Sequence, residues 1–157
     1  METYVNQLVD GLSLTLREAF PDIENLYIEQ VPQGFTKPCF LLRLINADEV
    51  QRLGNWWREN VMVTYHMADY MFEIRYHTDE LDKNQRCYGM AEKLYTLLFN
   101  FKKMRLWGSD MNYEVSDNVL HYFVTYQVSL YRTTPHDYDK MGTLRTRSEI
   151  KDEEQRR

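Results

Sequence analysis

Tyr70-Met71-Phe72-Glu73-Ile74-Arg75-Tyr76-His77 decides the fold. Tyr70, Phe72, Ile74 and Tyr76 alternate with Met71, Glu73, Arg75 and His77, the period-two pattern of a strand with one buried face. The strand extends upstream to Val61, with a bend expected near Met67-Ala68-Asp69. Downstream, Thr78-Asp79-Glu80 and Asp82 supply capping oxygens and first-turn acids for a helix. That helix carries the stripe Cys87, Met90, Ala91, Leu94, Leu98 and Phe101, flanked by Tyr88, Tyr95 and Phe99. Lys102 and Lys103 suit its C-terminal dipole.

The same two periods recur on either side. Val5, Leu8, Val9, Leu12, Leu16, Ala19 and Phe20 fall at helical offsets, with Gly11 as a weak point and Pro21 as the stop. Leu26 to Glu29 is a short β-prone run, and Cys39 to Ile45 a nearly continuous apolar one, as in a strand covered on both faces. The loop Val31 to Pro38 joins them. Asn46 to Asn60 reads as an irregular or hairpin-like excursion ending in Trp56-Trp57-Arg58. Adjacent strand residues face opposite ways, so one of the two tryptophans is expected inward and the other outward. Leu106 to Val115 and Val119 to Tyr131 form a hairpin about Ser116-Asp117-Asn118.

The expectation is an α+β domain, with a single mainly antiparallel or mixed sheet, two amphipathic helices on one face and an extended C-terminal tail. The domain spans 1–131 and a charged extension 132–157, too polar to build its own core. One layer of helices leaves the other sheet face to be covered, and neighbouring subunits are the natural cover.

Composition narrows the function. The 157 residues carry a net charge of −5, which argues against a dedicated nucleic-acid binder. Twelve Tyr, seven Phe and three Trp suit either strand faces or protein contacts. No run approaches the roughly 20 apolar residues of a membrane helix. Met1-Glu2-Thr3 opens no secretory signal, so synthesis in the cytosol is expected. Cys39 and Cys87 sit among apolar neighbours as buried free thiols.

Chemistry is not signalled. His66, His77, His121 and His136 have no metal-ligand spacing, there is no Gly-x-Ser-x-Gly and no glycine-rich phosphate loop, and the acids read as solvated. No enzyme activity, metal or cofactor is expected. Two basic–aromatic clusters, Trp56-Trp57-Arg58 and Lys102-Lys103-Met104-Arg105-Leu106-Trp107, could stack bases. The first fits a protein interface better, where Trp and Arg are enriched.

Several segments, in order, resemble phage tail terminator-like proteins of contractile-tail phages and related defective prophages. These are Glu18-Ala19-Phe20-Pro21-Asp22-Ile23 with Tyr27 to Val31, then Gln33-Gly34-Phe35-Thr36-Lys37-Pro38-Cys39-Phe40, then Phe72 to Tyr76, Met90 to Tyr95, Met111 to Val115 and Val119 to Phe123. Together they span roughly Leu8 to Leu130. The chain departs from the pattern in a longer stretch between Asn46 and Asp69 and in the tail after Arg132. The resemblance implies a virion subunit, assembled in the host cytoplasm into a hexameric ring at the head-proximal end of the tail. There it would end tail-tube polymerisation and offer the head-tail joining surface. Implied partners are the tail-tube protein, and the sheath and head-completion (stopper) proteins, with DNA passing through unrecognised and no membrane. Gln33, Phe35, Lys37, Trp56, Trp57, Arg58, Tyr138, Arg145 and Arg147 are the candidate interface residues. The alternatives are another connector, stopper or tail-completion protein, or a nucleic-acid-binding module.

Overall fold

The computed structural model describes residues 3–52, 56–79 and 83–135. Helix α1 runs Tyr4–Ala19. Thr3 starts it by accepting the Asn6 N–H on its hydroxyl oxygen at 3.1 Å, a conventional N-cap. It ends at Phe20, whose N–H still reaches the Leu16 carbonyl before Pro21 forbids another turn. Leu8, Leu12 and Leu16, one every four residues, are fully buried. Each contributes about 2 kcal/mol by leaving water.

The strands are β1 (Asn25–Ile28), β2 (Cys39–Gln51), β3 (Trp56–Arg58) and β4 (Val61–His77), followed by helix α2 (Lys83–Phe99). After it come β5 (Asn100–Phe101), β6 (Leu106–Ser116) and β7 (Val119–Pro135). The sheet order is β1-β2-β4-β7-β6-β5, with β3 paired to β4 off this path. It is mixed. β1 and β2 are parallel, whereas β3–β4, β5–β6 and β6–β7 are antiparallel. The side-chain bonds Asp69–Gln127 and Glu73–His121 ascend β4 while descending β7, so these neighbours are antiparallel too. The fold is therefore α+β, with both amphipathic helices on one face.

The chain divides into two compact units. One comprises 1–49 and 68–128, the other 50–67 and 129–157. The first holds both helices and the core. Phe40 packs between Phe20 and Tyr76, each 5.5 Å away between ring centres, and Tyr126 between Phe101 and Phe72. The Tyr126 hydroxyl donates to the Leu98 carbonyl at 2.7 Å, so this buried phenol satisfies its polar end at the last turn of α2. The second unit has no helix among the described residues. It contains the end of β2, β3, the first part of β4 and the end of β7.

Several local readings are corrected. The polar run after Ile45 does not break the strand, since β2 continues to Gln51. α2 stops at Phe99, and a turn places Lys102 and Lys103 beyond β5 instead of at a helix end. Lys103 pairs with Glu18, and Phe101, expected on the helical stripe, is buried from β5. Of the capping residues proposed for α2, Glu80 and Asp82 lie outside the described residues, and Thr78 is buried ahead of the helix. The β6–β7 turn is as expected. Asp117 and Asn118 have φ of 54° and 61°, the left-handed pair of a type I′ hairpin.

Gly11 has a packing reason. A Cβ there would lie 2.9 Å from the Phe101 ring and 3.3 Å from a second ring atom, so the close approach of α1 to β5 requires its absence. Gly11→Val is expected to cost about 1–3 kcal/mol from overpacking, despite the gain in helix propensity, and urea unfolding at neutral pH measures it. An unchanged midpoint would show that the Phe101 ring yields freely.

Candidate assembly surfaces

Alternation along β2 sends Phe40 and Leu42 toward the helices and Cys39, Leu41 and Arg43 to the other face. In β4 the same rule sends Tyr70, Phe72, Ile74 and Tyr76 inward and Glu73, Arg75 and His77 outward. Since β2, β4 and β7 are neighbours, Glu73 stands centrally on the helix-free face. It is nevertheless 2% exposed. Arg43 Nε donates to its Oε1 at 2.6 Å, while Arg75 Nε and His121 Nδ1 donate to Oε2 at 3.0 and 2.7 Å. Burial by itself raises a carboxyl pKa. Here the hydrogen bonds from His121, Arg75 and Arg43, with the charge of Arg75, outweigh it and hold Glu73 at about 2.

The loop from Glu29 to Pro38 carries three of the proposed contact residues. Glu29 and Gly34 have φ of 72°, the Thr36 N–H donates to the Tyr27 hydroxyl at 3.3 Å, and Lys37-Pro38 is a cis peptide. Phe35 packs edge-on against His77 with ring centres 4.8 Å apart, and the Lys37 ammonium lies 5.8 Å from the Phe35 ring centre. Gln33 is exposed. Phe35 thus belongs to the packing of the helix-free face. Burial, then the charges of Lys37, Arg75 and His121, lower the His77 pKa and disfavour its charged form. Its Nε2 is buried with no partner among the described residues.

In the second unit, Trp56, Trp57 and Arg58 form β3 and pair with Val63, Met62 and Val61. Both tryptophans are exposed, Trp57 by half. The inward tryptophan expected from alternation is absent, since neither is buried in this unit. Tyr131, 68% exposed, contacts Trp56 and Tyr65 at 6.1 and 5.3 Å between ring centres. Trp56, Arg58 and Tyr131 line an open cleft of about 560 Å³. Tyr138, Arg145 and Arg147 lie outside the described residues.

The first unit carries a second aromatic group, two of whose members, Tyr95 and Phe99, were expected only as flanks of the helical stripe, and the third, Trp107, as the end of a basic–aromatic cluster. Tyr95 and Phe99 stack at 5.7 Å with planes 5° apart, and Phe99 meets Trp107 at 5.2 Å. All three are exposed, Trp107 by 62%. Helical i, i+4 spacing explains the first pair. The second depends on β5 folding back along β6. Because β5 pairs only with Leu106 and Trp107, β6 from Gly108 to Ser116 has no strand on its outer edge among the described residues. On its other side, against β7, the strand carries a register shift between Ser109 and Asn112, with Asp110 at φ 49°. Beside it an open cleft of about 640 Å³ is lined by Asp48, Asp69, Met71, Arg105 to Asp110 and Gln127, among others.

Among the described residues no His, Cys, Asp or Glu group is placed to hold a metal ion, and no helix is long and apolar enough to cross a membrane. Both thiols are buried and free, and burial raises the pKa of each. What these residues offer is contact surface, the equipment of an assembly subunit. The chain matches the family model described as "Phage tail terminator protein" over residues 7–138. It belongs to that family and is a structural protein of the phage tail. No curated protein matches it.

Glu73 yields a pH prediction. Its folded pKa lies below the unfolded value, so the stabilisation is complete above about pH 4.5 and is lost as pH falls toward 2. A shift of that size corresponds to about 3 kcal/mol. Glu73→Gln is expected to lower stability at pH 7 by about that amount, since Arg43 and Arg75 lose their counter-charge. It should also flatten the acid limb of a urea-midpoint series between pH 5 and pH 2. An acid limb as steep as that of the parent would rule out Glu73 as its source.

Proposed function

We propose that the chain forms a ring at the head-proximal end of the tail, ends tail-tube polymerisation there and presents the joining surface to head-completion proteins. Residues 1–131 build the ring body and 132–157 a contact extension. The observation that carries this reading is the set of large aromatic side chains left outside a well-packed core. They are Trp56, Trp57 and Tyr131 in one unit and Tyr95, Phe99 and Trp107 in the other. Exposed aromatic groups of this kind are protein contacts far more often than solvent decoration. Two different groups on one chain suit a heterologous interface, in which one patch meets a different patch on the next copy and closes into a ring when the rotation allows. Membership of the terminator family favours the tail end over another connector position. A net charge of −5 suits a ring that DNA passes through without being held.

Trp57 and Arg58, which alternation sends to opposite sides of β3, are the residues expected to matter most, as an aromatic anchor on one side and a cation beside Trp56 on the other. Native mass spectrometry of the purified protein, alone and with tail-tube protein, is expected to give a closed ring, with six copies as the leading stoichiometry. Trp57→Ala with Arg58→Glu should raise the concentration needed for assembly about tenfold or more, as loss of a contact hot spot does, with an unchanged unfolding midpoint. A protein that stays a compact monomer even with tube protein present would refute the ring reading.

A further inference from the structure

The cleft beside Trp107 combines charge with apolar surface in an unusual way. Asp48 from β2, Asp69 from β4 and Asp110 from the register shift in β6 line it with a single cation, Arg105, while Met71, Leu106 and Trp107 supply apolar surface. Asp69 is fixed by the Gln127 side-chain amide at 3.1 Å, and Trp107, packed on Phe99, remains largely exposed. An occupant must be cationic, with apolar side chains between its charges.

The chain itself contains such a segment. After β7 ends at Pro135, Lys140-Met141-Gly142-Thr143-Leu144-Arg145-Thr146-Arg147-Ser148 holds three cations, no acid, and the apolar Met141 and Leu144. The chain from Pro135 to Ser148 spans about 45 Å when extended, enough to arrive at a neighbouring molecule. We infer that residues 140–148 of one copy dock in the Asp48–Asp69–Asp110 cleft of the next. Arg145 and Arg147 face the acids, and the apolar side chains lie against Met71 and Trp107. This rests on the ring reading and names one of its contacts. Every copy carries both the segment and the cleft, so the contact repeats around a ring and closes it.

The test uses the full-length protein with a photo-crosslinking benzoylphenylalanine at Leu144, in a mixture of ¹⁴N and ¹⁵N chains. Mixed-label cross-links into the peptides containing Met71 or Trp107 are expected. Arg145→Asp with Arg147→Asp should reduce their yield about tenfold, because like charges then face each other. Asp48→Arg should act in the same direction, and combining the two changes should recover about half of the lost yield as opposite charges meet again. Unchanged circular dichroism and urea midpoints guard against misfolding. Same-label cross-links only, cross-links outside the cleft, or a yield indifferent to these charges would overturn the inference. If the parent protein forms rings while any of these occurs, the docking contact alone is wrong. If it never assembles and gives no mixed-label product, the ring reading falls with it.

Discussion

The packed unit depends on the apolar seam between its two helices and the strands they cover, sealed by Leu8, Leu12, Leu16, Leu94 and Leu98, all buried. The second unit has no helix among its described residues. In it Val50, Trp56, Trp57 and Tyr131 stay exposed, and a sheet segment with free edges invites pairing with other chains.

The helix-free face of the packed unit is held differently. It is not the uncovered greasy surface expected from a single helical layer. Cys39 and Leu41 are buried there, Phe35 folds over His77, and the middle is held by a carboxylate with three donors. A buried charge network of this kind adds little net stability compared with apolar packing, but it penalises any register in which a donor is missing. Moving β2 or β7 by one residue would turn Arg43 or His121 to the other face and leave Glu73 buried without its partner. The network therefore acts on strand alignment, while the leucines and aromatic rings on the helix side supply most of the cohesion.

Patterns that repeat locally were legible in the sequence. The alternation Tyr70 to Tyr76, the stripe Leu8 to Leu16 and the hairpin at Asp117-Asn118 need only neighbours two to four residues away, and each appears as expected. Features set by sheet order were not. The Glu73 cluster joins three strands and residues 30 and 48 positions apart, so its members looked like separate polar residues of separate strands. Gly11 looked like a helix weakness because its reason, the Phe101 ring, lies ninety residues away in sequence. Trp56 and Trp57 misled the alternation rule, which assigns sides but cannot say whether anything stands on them.

The same distinction separates what makes this fold from what makes it an assembly part. Its core is satisfied from within, save for the buried Nε2 of His77. The inward rings are matched, the Tyr126 hydroxyl is satisfied, and Glu73 has its full set of donors. Its surface is less complete. Trp57, Trp107 and Tyr131 keep half or more of their surface exposed, and β6 from Gly108 onward has β7 on one side and no strand on the other among the described residues. A monomer selected only for stability would replace such residues with charged ones, as edge strands commonly do. Keeping the rings costs solubility and is sustained where another chain removes them from water. The cost falls on the free subunit and the gain appears on association, so the strength of its contacts with other tail proteins and its tendency to self-associate rise together.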